Sequence, residues 1–185
     1  MIKEGDPDGN DPDDPVVIYA DGCFDMYHVG HAKVFEQCKK MYKHVYLIVG
    51  VASDQEIREH KGQNVMNEIE RSEIIAHCKW VDEVIMPCPW TINLDWARSK
   101  GIHYVAHDDN PYTAGGGGAK DIYYEVKKNG FWRTTQRTKG ISTSDVVLRI
   151  IRNYNLFIER NLRRDFKPAD LNISSLKAMR IKLKL

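Results

Sequence analysis

Residues 16–41 constrain the fold more than any other part of the chain, because they combine a strand, a loop and a helix. Residues 16–20 are apolar and rich in β-branched side chains, as in a strand buried in a parallel sheet. Residues 32–41 carry apolar side chains at helical spacing. The connecting loop is therefore expected at the carboxyl edge of a sheet. There the amino end of a helix offers unpaired N–H groups and a positive dipole to an anion.

Two histidines, His28 and His31, stand near the start of this helix with Gly30 between them. Their ring N–H groups can add hydrogen bonds to an anion held at the helix terminus. Two other interpretations are open. The pair could be surface or capping groups without a chemical role. It could also bind zinc with Cys23 and Asp25, although no second cluster has the spacing of a metal site.

The composition indicates one domain with a sizeable core and a short appendage, since 42% of the 185 residues are hydrophobic and 29% are charged. A net charge of +1 gives no reason to expect nucleic acid as a partner, so a small-molecule ligand is expected. The four cysteines form no close pair, and neither a signal peptide nor a long apolar span is present. These features favour a reducing, cytoplasmic setting.

Strands and helices alternate beyond the first helix, and this alternation predicts the fold class. Asn67 is expected to cap a helix with Glu70 three residues on. The alternation predicts an α/β fold with a doubly wound parallel sheet, whose ligand crevice lies at the carboxyl ends of the strands. The further predicted strands are 44–51, 83–86 and 104–106, and the predicted helices are 67–77, 94–100, 122–128 and 142–152.

The chain divides into three parts by composition. Residues 1–15 are acidic and rich in Gly, Pro and Asp, which predicts a disordered leader. Residues 16–155 form the predicted main domain, and 156–185 a helical extension whose basic side chains face solvent. The glycine run at 115–118 lacks the spacing of a phosphate loop, so we expect a flexible joint without chemistry there.

Four segments together carry a resemblance to a known family. They are His28-Val-Gly-His31, residues 60–62 (His-Lys-Gly), residues 106–112 (Ala-His-Asp-Asp-Asn-Pro-Tyr) and residues 136–144 (Gln-Arg-Thr-Lys-Gly-Ile-Ser-Thr-Ser). The first is typical of the nucleotidyltransferase superfamily, and the last narrows this to cytidylyltransferases. Over residues 16–161 the chain resembles the catalytic domain of the choline-phosphate cytidylyltransferases. The resemblance implies a Rossmann-like nucleotidyltransferase fold.

The resemblance implies a reaction in phospholipid biosynthesis. A cytidylyl group passes from CTP to phosphocholine, giving CDP-choline and pyrophosphate by direct in-line attack without a covalent intermediate. A phosphate monoester is already a competent nucleophile, so the protein mainly aligns two anions and neutralises developing charge. Mg²⁺ is expected to accompany CTP, and its protein ligands are unknown.

The resemblance also assigns roles to residues. His28 and His31 are expected at the CTP phosphates, Lys61 as a bridge between the reacting phosphates, and Arg137 at the β- and γ-phosphates; these four are the predicted catalytic residues. The predicted CTP-binding residues are Gly22, Cys23, Phe24, His28, His31, His107, Arg137, Thr138, Gly140, Ile141, Ser142 and Thr143. The predicted phosphocholine-binding residues are Asp21, Lys61, Trp90, His107, Asp108 and Tyr112.

Recognition of choline requires the most specific combination of side chains. A quaternary ammonium has no N–H to donate, so aromatic faces and nearby negative charge must hold it. Trp90, Tyr112 and Asp21 match the positions of such a cage in the choline enzymes. Other functions remain open: a phosphoethanolamine or glycerol-3-phosphate cytidylyltransferase, an adenylyltransferase of the same superfamily, or a non-catalytic nucleotide-binding module.

Residues 79–83 resemble the dimer-contact segment of the family, so a homodimer is expected. The alternative is that Trp80 and Val81 pack only within the subunit. Full-length members of the family generally add a membrane-sensing helix. Membrane binding is therefore expected only through regions absent from this chain, and the parent protein is expected in the cytoplasm with reversible membrane association.

Overall fold

The computed structural model describes residues 5–112 and 121–183, except for the side chain of Lys182. The glycine run predicted as a flexible joint lies outside the described residues, as do residues 1–4 of the predicted leader. Within residues 5–15, the Gly9 carbonyl accepts a hydrogen bond from the His44 amide at 2.9 Å. The disorder of the leader stays a prediction.

Five strands form one parallel sheet of order β3-β2-β1-β4-β5. The predicted doubly wound sheet is therefore confirmed. Because β2 and β4 follow β1 in sequence but lie on its opposite sides, the chain reverses direction across the sheet at β1. A reversal of this kind opens a crevice at the carboxyl ends of the strands. The strands are β1 Val16–Gly22, β2 Val45–Val51, β3 Glu83–Ile85, β4 Tyr104–His107 and β5 Trp132–Thr134.

Helices connect the strands in the first part of the chain and continue alone in the last part. Asn67 and Glu70 form the predicted capping box, with both backbone-to-side-chain bonds at 2.9 Å. The helices that accompany the sheet are α1 Val29–Lys39, α2 Asp54–His60, α3 Glu68–Ala76, α4 Leu94–Ser99 and α5 Tyr124–Lys128. The later ones are α6 Thr143–Arg152, α7 Tyr154–Leu162, the 3-10 helix Pro168–Leu171 and α8 Ser175–Lys182.

Two elements were missing from the sequence prediction, α2 and β5. The α2 sequence has one apolar side chain, Ile57, which is also its one buried residue, so it lacks an apolar stripe. The β5 sequence is three residues long and combines Trp132 with a charged and a polar residue at the edge of the sheet. Neither segment carries the periodicity by which an element is recognised.

The core lies on both faces of the sheet because successive strand residues point to opposite sides. In β1, Ile18 packs in the cluster that contains Phe35 of α1, whereas Tyr19 packs in the cluster that contains Ala97 of α4. Both faces are covered by helices, which explains why β1 reads as a continuous apolar run. The central strands are thereby fixed, and their carboxyl ends form a rigid base for a site.

The chain forms two compact units, Met1–Ile141 and Ser142–Leu185. The second has a small core of its own, where Ile158 and Leu162 of α7 pack with Ala178 of α8. Helix α6 therefore groups with the later helices. Among the described residues, no helix is both long enough and apolar enough to cross a membrane.

Candidate active site

A hollow opens at the carboxyl edge of the sheet. Residues from the ends of β1, β2 and β4 meet there with side chains that follow α2 and β3, as the order of the strands requires. Burial raises the pKa of the Cys23 and Cys88 thiols that line it, so both stay protonated. The lining residues are Asp21, Gly22, Cys23, Ala52, His60, Lys61, Cys88, Pro89, Trp90, His107, Tyr112, Ile122 and Tyr123.

The loop between β1 and α1 is held in an unusual conformation. Phe24 and Met26 both have positive φ angles, of 52° and 50°, which non-glycine residues seldom adopt. The Asp25 carboxylate between them accepts hydrogen bonds from the amides of Val65 and Met66, at 2.8 and 2.9 Å. The surrounding contacts thus keep the loop in this conformation, as is common beside functional sites.

His28 and His31 cap α1 with their own rings. The Gly30 amide donates to His28 Nδ1 at 3.1 Å, and the His28 amide donates to His31 Nδ1 at 3.4 Å. Because Nδ1 is the acceptor in both rings, the proton of each neutral imidazole is on Nε2. Both Nε2–H groups are therefore the donors that these side chains offer at the helix amino end.

Burial and the neighbouring His28 ring lower the pKa of His31 to about 3. The two rings stack with centroids 3.8 Å apart. A Cβ at Gly30 would lie 2.8 Å from His28 Cε1, which explains why glycine separates the histidines. His31 is thus a neutral hydrogen-bond donor at physiological pH, a partner suited to a phosphate oxygen.

Arg71 holds the backbone segments that follow β1 and β2 beside the site. Its guanidinium donates to the carbonyl of Cys23 after β1 at 2.6 Å and to that of Ala52 after β2 at 2.9 Å. It also pairs with Asp54 at 2.7 Å, and its side chain is fully buried. One cation therefore joins the ends of the neighbouring strands β1 and β2.

Replacing Arg71 by leucine is expected to lower the free energy of unfolding by about 3–5 kcal/mol, because removing one partner of a buried ion pair leaves polar groups uncompensated. Urea unfolding followed by circular dichroism measures the change. Arg58→Leu, on the exposed side of α2, is the matched control and should change it by less than about 0.5 kcal/mol. Equal losses in the two variants would contradict the assigned role of Arg71.

An aromatic recess lies at one side of the hollow. We define it by Trp90, Tyr112, Tyr123 and Asp21. The Tyr123 hydroxyl donates to both carboxylate oxygens of Asp21, at 3.1 and 3.0 Å, and both residues are buried. Burial raises the pKa of Asp21, while His107 and the Tyr123 bond act in the opposite direction.

Lys61 reaches into this recess from the end of α2. Its ammonium lies 5.6 Å from the ring centroid of Trp90 and 5.6 Å from that of Tyr112. The preceding residue, His60, stacks on Trp90 with centroids 4.5 Å apart. The predicted cage residues Asp21, Trp90 and Tyr112 are therefore brought together, and in this structure they surround the charge of Lys61.

Asp108 connects the recess to the arginine-bearing segment. Its Oδ2 accepts a hydrogen bond from the Tyr112 hydroxyl at 3.0 Å and lies 3.7 Å from His107 Nδ1. The same oxygen is 3.9 Å from Nε of Arg137, whose side chain is 62% exposed. Arg137 thus stands at the rim with its fork of donors accessible to a ligand.

The segment around Arg137 is tied to α1. Gln37 donates to the Gln136 carbonyl at 2.9 Å and accepts from the Gln136 amide at 2.8 Å. A Cβ at Gly30 would lie 3.4 Å from Ile141 Cγ2, so residue 141 approaches the start of α1. These contacts bring the two motif segments together.

The remaining predicted CTP-binding residues have separate positions. Phe24 is buried and meets the His31 ring edge-on, with centroids 5.4 Å apart. Gly140 has a φ of +78°, and half-buried Thr138 precedes it. Ser142 and Thr143 belong to the second unit, where Ser142 caps α6 by accepting from the Asp145 amide. Their predicted contact with CTP stays a prediction.

Sequence reasoning assigned no role at the site to two aromatic residues, Tyr123 and His60, although His60 belongs to the motif of residues 60–62. Tyr123 immediately precedes α5, whose onset the prediction placed two residues earlier. The available signal was an aromatic pair, Tyr123 and Tyr124, at the start of a helix that follows the motif of residues 106–112. His60 stands beside Lys61 on a helix that the sequence did not predict.

Within residues 5–112 and 121–183, no group of three or more His, Cys, Asp or Glu side chains is arranged to hold a metal ion. The donors at the site are instead imidazole, ammonium and guanidinium groups, and these suit anions. The recess adds aromatic faces and a carboxyl group, which suit a cation.

The fold and the site define a Rossmann-like α/β protein that offers adjoining positions for an anion and a cation. A family model described as cytidylyltransferase-like matches residues 19–149. The chain belongs to this cytidylyltransferase-like family.

Curated relatives include choline-phosphate cytidylyltransferase 2 of Arabidopsis thaliana, which is 44% identical over 96% of this chain and 59% of its own length. Choline-phosphate cytidylyltransferase A of Homo sapiens is 46% identical over 86% of this chain and 43% of its own. An ethanolamine-phosphate cytidylyltransferase of Dictyostelium discoideum is 38% identical over 74% of this chain and 37% of its own length. The chain thus spans about half the length of the curated relatives it matches.

A solved structure with the same fold is the lipopolysaccharide core biosynthesis protein from Thermoplasma volcanium. The TM-score is 0.52 at 20% identity, over 67% of this chain and 98% of that protein. At this level of identity the likeness concerns the fold alone.

Proposed function

We propose that this chain transfers the cytidylyl group of CTP to phosphocholine, giving CDP-choline and pyrophosphate. The observation that carries the proposal is the aromatic recess, in which Trp90 and Tyr112 surround a positive charge beside the buried carboxyl group of Asp21. A trimethylammonium group requires such surroundings. The choline-phosphate names of the relatives at 44% and 46% identity support the same substrate.

The proposed mechanism is a single in-line displacement. An oxygen of the phosphocholine phosphate forms a bond to the α-phosphorus of CTP. The bond from this phosphorus to the oxygen that bridges it to the β-phosphorus breaks, and pyrophosphate leaves with the electron pair. The protein forms no covalent bond, so its part is to align the two anions and neutralise charge.

The donors divide this task. His28 and His31 donate hydrogen bonds from Nε2–H to CTP phosphate oxygens as the bond breaks. Lys61 bridges the two reacting phosphates, and Arg137 holds the β- and γ-phosphates with paired donors. The other proposed CTP-binding residues are Gly22, Cys23, Phe24, His107, Thr138, Gly140, Ile141, Ser142 and Thr143, and Asp108 is proposed on the phosphocholine side.

Mg²⁺ is proposed to enter bound to CTP. The described residues include no group of three or more carboxylate, imidazole or thiol side chains suited to a metal. An ion coordinated mainly by the triphosphate and water needs few protein ligands, so this donor set fits that arrangement. When bound, the ion would neutralise charge on the leaving pyrophosphate.

Pyrophosphate release tests the proposed function. With CTP, phosphocholine should be used with a kcat/KM about tenfold or more above that for phosphoethanolamine, because a desolvated cation–π contact contributes about 2 kcal/mol. ATP in place of CTP, with phosphocholine, is the nucleotide control and should give little release. Preference for phosphoethanolamine, for ATP, or no release with any pair would each contradict the proposal.

We also propose a homodimer through residues 79–83. Lys79 is exposed and its ammonium lies 4.6 Å from the Trp80 ring centroid, while Trp80 and Val81 pack partly against the subunit core. Glu83 accepts a bond from the Tyr46 hydroxyl at 3.2 Å. The segment thus keeps exposed charge beside a fixed aromatic side chain. Light scattering should give twice the chain mass.

For the whole protein we propose a cytoplasmic location. Reversible membrane association would act through regions outside this chain.

A further inference from the structure

Lys61 has a position that its proposed role at the phosphates does not explain. Its ammonium lies within cation–π distance of two rings at once, 5.6 Å from the centroids of both Trp90 and Tyr112. Burial raises the pKa of Asp21, and the charge of Lys61 acts in the opposite direction. The recess proposed to hold a substrate cation therefore already contains a cation of the chain.

The contact is one that the side chain can leave. Lys61 ends α2 with its amide bonded to the Ile57 carbonyl at 2.8 Å, so its backbone is fixed. Its side chain is exposed, and no atom comes within 4 Å of a Cβ built on the neighbouring Gly62. A change of side-chain rotamer is thus enough to carry the ammonium out of the recess. An exposed cation–π contact is also weak.

We propose that Lys61 determines specificity by competing with the substrate cation for the aromatic recess. The inference rests on the proposed function. A trimethylammonium headgroup displaces the Lys61 ammonium, which then becomes available to the reacting phosphates. Binding of the substrate cation in the recess is in this way coupled to the release of the Lys61 charge that bridges the phosphates.

The chemistry of the two cations explains how competition would select choline. A primary ammonium, such as that of phosphoethanolamine, is the same group as the Lys61 terminus, so its entry exchanges one ammonium for another without gain. A trimethylated cation is less strongly hydrated and adds apolar contact with the rings of Trp90 and Tyr112. Only the second exchange is favourable, and only then is Lys61 released.

Calorimetric titration with choline chloride tests the competition, because choline lacks the phosphate that Lys61 would otherwise bind. At constant ionic strength, Lys61→Ala should bind choline about two- to fivefold more tightly than the unmodified chain, as expected when a weak competitor is removed. Lys128→Ala is the matched control, since Lys128 also lies on an aromatic ring, that of Tyr124, but outside the hollow. It should leave choline affinity unchanged.

If Lys61 only binds phosphate, its removal should leave the affinity for choline unchanged. If Lys61 has a structural role, its removal should weaken choline binding. Either result for Lys61→Ala would overturn the inference. Trp90→Ala separates this failure from failure of the proposed function. Loss of choline binding in Trp90→Ala, without a gain in Lys61→Ala, rejects the competition and keeps the recess. Choline binding that survives Trp90→Ala, or that is absent from every variant, rejects both.

A second measurement follows Lys61 itself. In protein carrying ¹³C at the lysine ε-carbons, the Lys61 signal, assigned by its absence from Lys61→Arg, should show an upfield ring-current shift. Saturating choline should move it to the position of an exposed lysine, whereas the Lys128 signal should stay in place. A Lys61 signal that choline does not move would overturn the displacement.

Discussion

Replacing His31 by alanine is expected to lower kcat for CDP-choline formation by about 10²- to 10³-fold, as removal of one preorganised donor to a developing charge does in other enzymes. The imidazole is held by a bond from the His28 amide to Nδ1, which leaves Nε2–H as its hydrogen-bond donor. Steady-state pyrophosphate release measures the effect. Because the donor is proposed to act mainly in the transition state, kcat should fall more than KM for CTP rises.

The matched control is His77→Ala, since His77 is an exposed histidine that ends α3. Its kcat should remain within twofold of the unmodified value, or about 0.4 kcal/mol in barrier. A loss confined to KM for CTP, or an equal loss in the control, would contradict the role assigned to His31.

The depressed pKa of His31 also predicts how stability depends on pH. Its pKa is about 3 in the folded chain against a reference of 6.5, so the unfolded chain binds the proton more readily between these values. As pH falls from about 6.5 towards 3, His31 therefore destabilises the folded chain increasingly. In His31→Asn, urea unfolding between pH 7 and pH 5 should show a smaller loss of stability. An unchanged dependence would contradict the neutral state.

The second large effect is expected at Trp90. Trp90→Ala should lower kcat/KM for phosphocholine by about 30-fold, corresponding to loss of about 2 kcal/mol for a desolvated cation–π contact. Activity with phosphoethanolamine should fall much less, because a primary ammonium can use hydrogen-bond acceptors instead. Parallel assays with the two amines measure this selectivity.

Trp90→Phe is the conservative variant and should restore most of the preference, because a ring face is kept. The backbone amide of Trp90, which donates to Glu56 at 3.2 Å, is present in both variants. Equal losses for the two amines in Trp90→Ala would indicate a packing role and contradict the assignment of the cage.

Much of the fold could be predicted because its signals are local. The apolar run of β1 and the Asn67–Glu70 capping box both specify their structure within a few residues. The grouping of Asp21, Trp90 and Tyr112 in one recess was implied by the resemblance to the choline enzymes. It agrees with the strand order, because the carboxyl ends of parallel strands meet at one edge of the sheet.

Other features arise only when distant segments meet. Arg71 lies in a predictable helix, but its bonds to Cys23 and Ala52 depend on how α3 packs below the two strands. The hydrogen bond from Tyr123 to Asp21 joins residues more than 100 positions apart. The position of Lys61 inside the recess depends on α2, which has no apolar stripe to predict it.

The central claim is that one sheet edge combines histidine donors for phosphate with an aromatic recess for a methylated cation. A crystal structure with CDP-choline tests it most directly. We expect the trimethylammonium group between Trp90 and Tyr112, with Lys61 displaced, and phosphate oxygens within hydrogen-bond distance of Nε2 of His28 or His31. A headgroup outside the recess, or phosphates far from both histidines, would contradict the account.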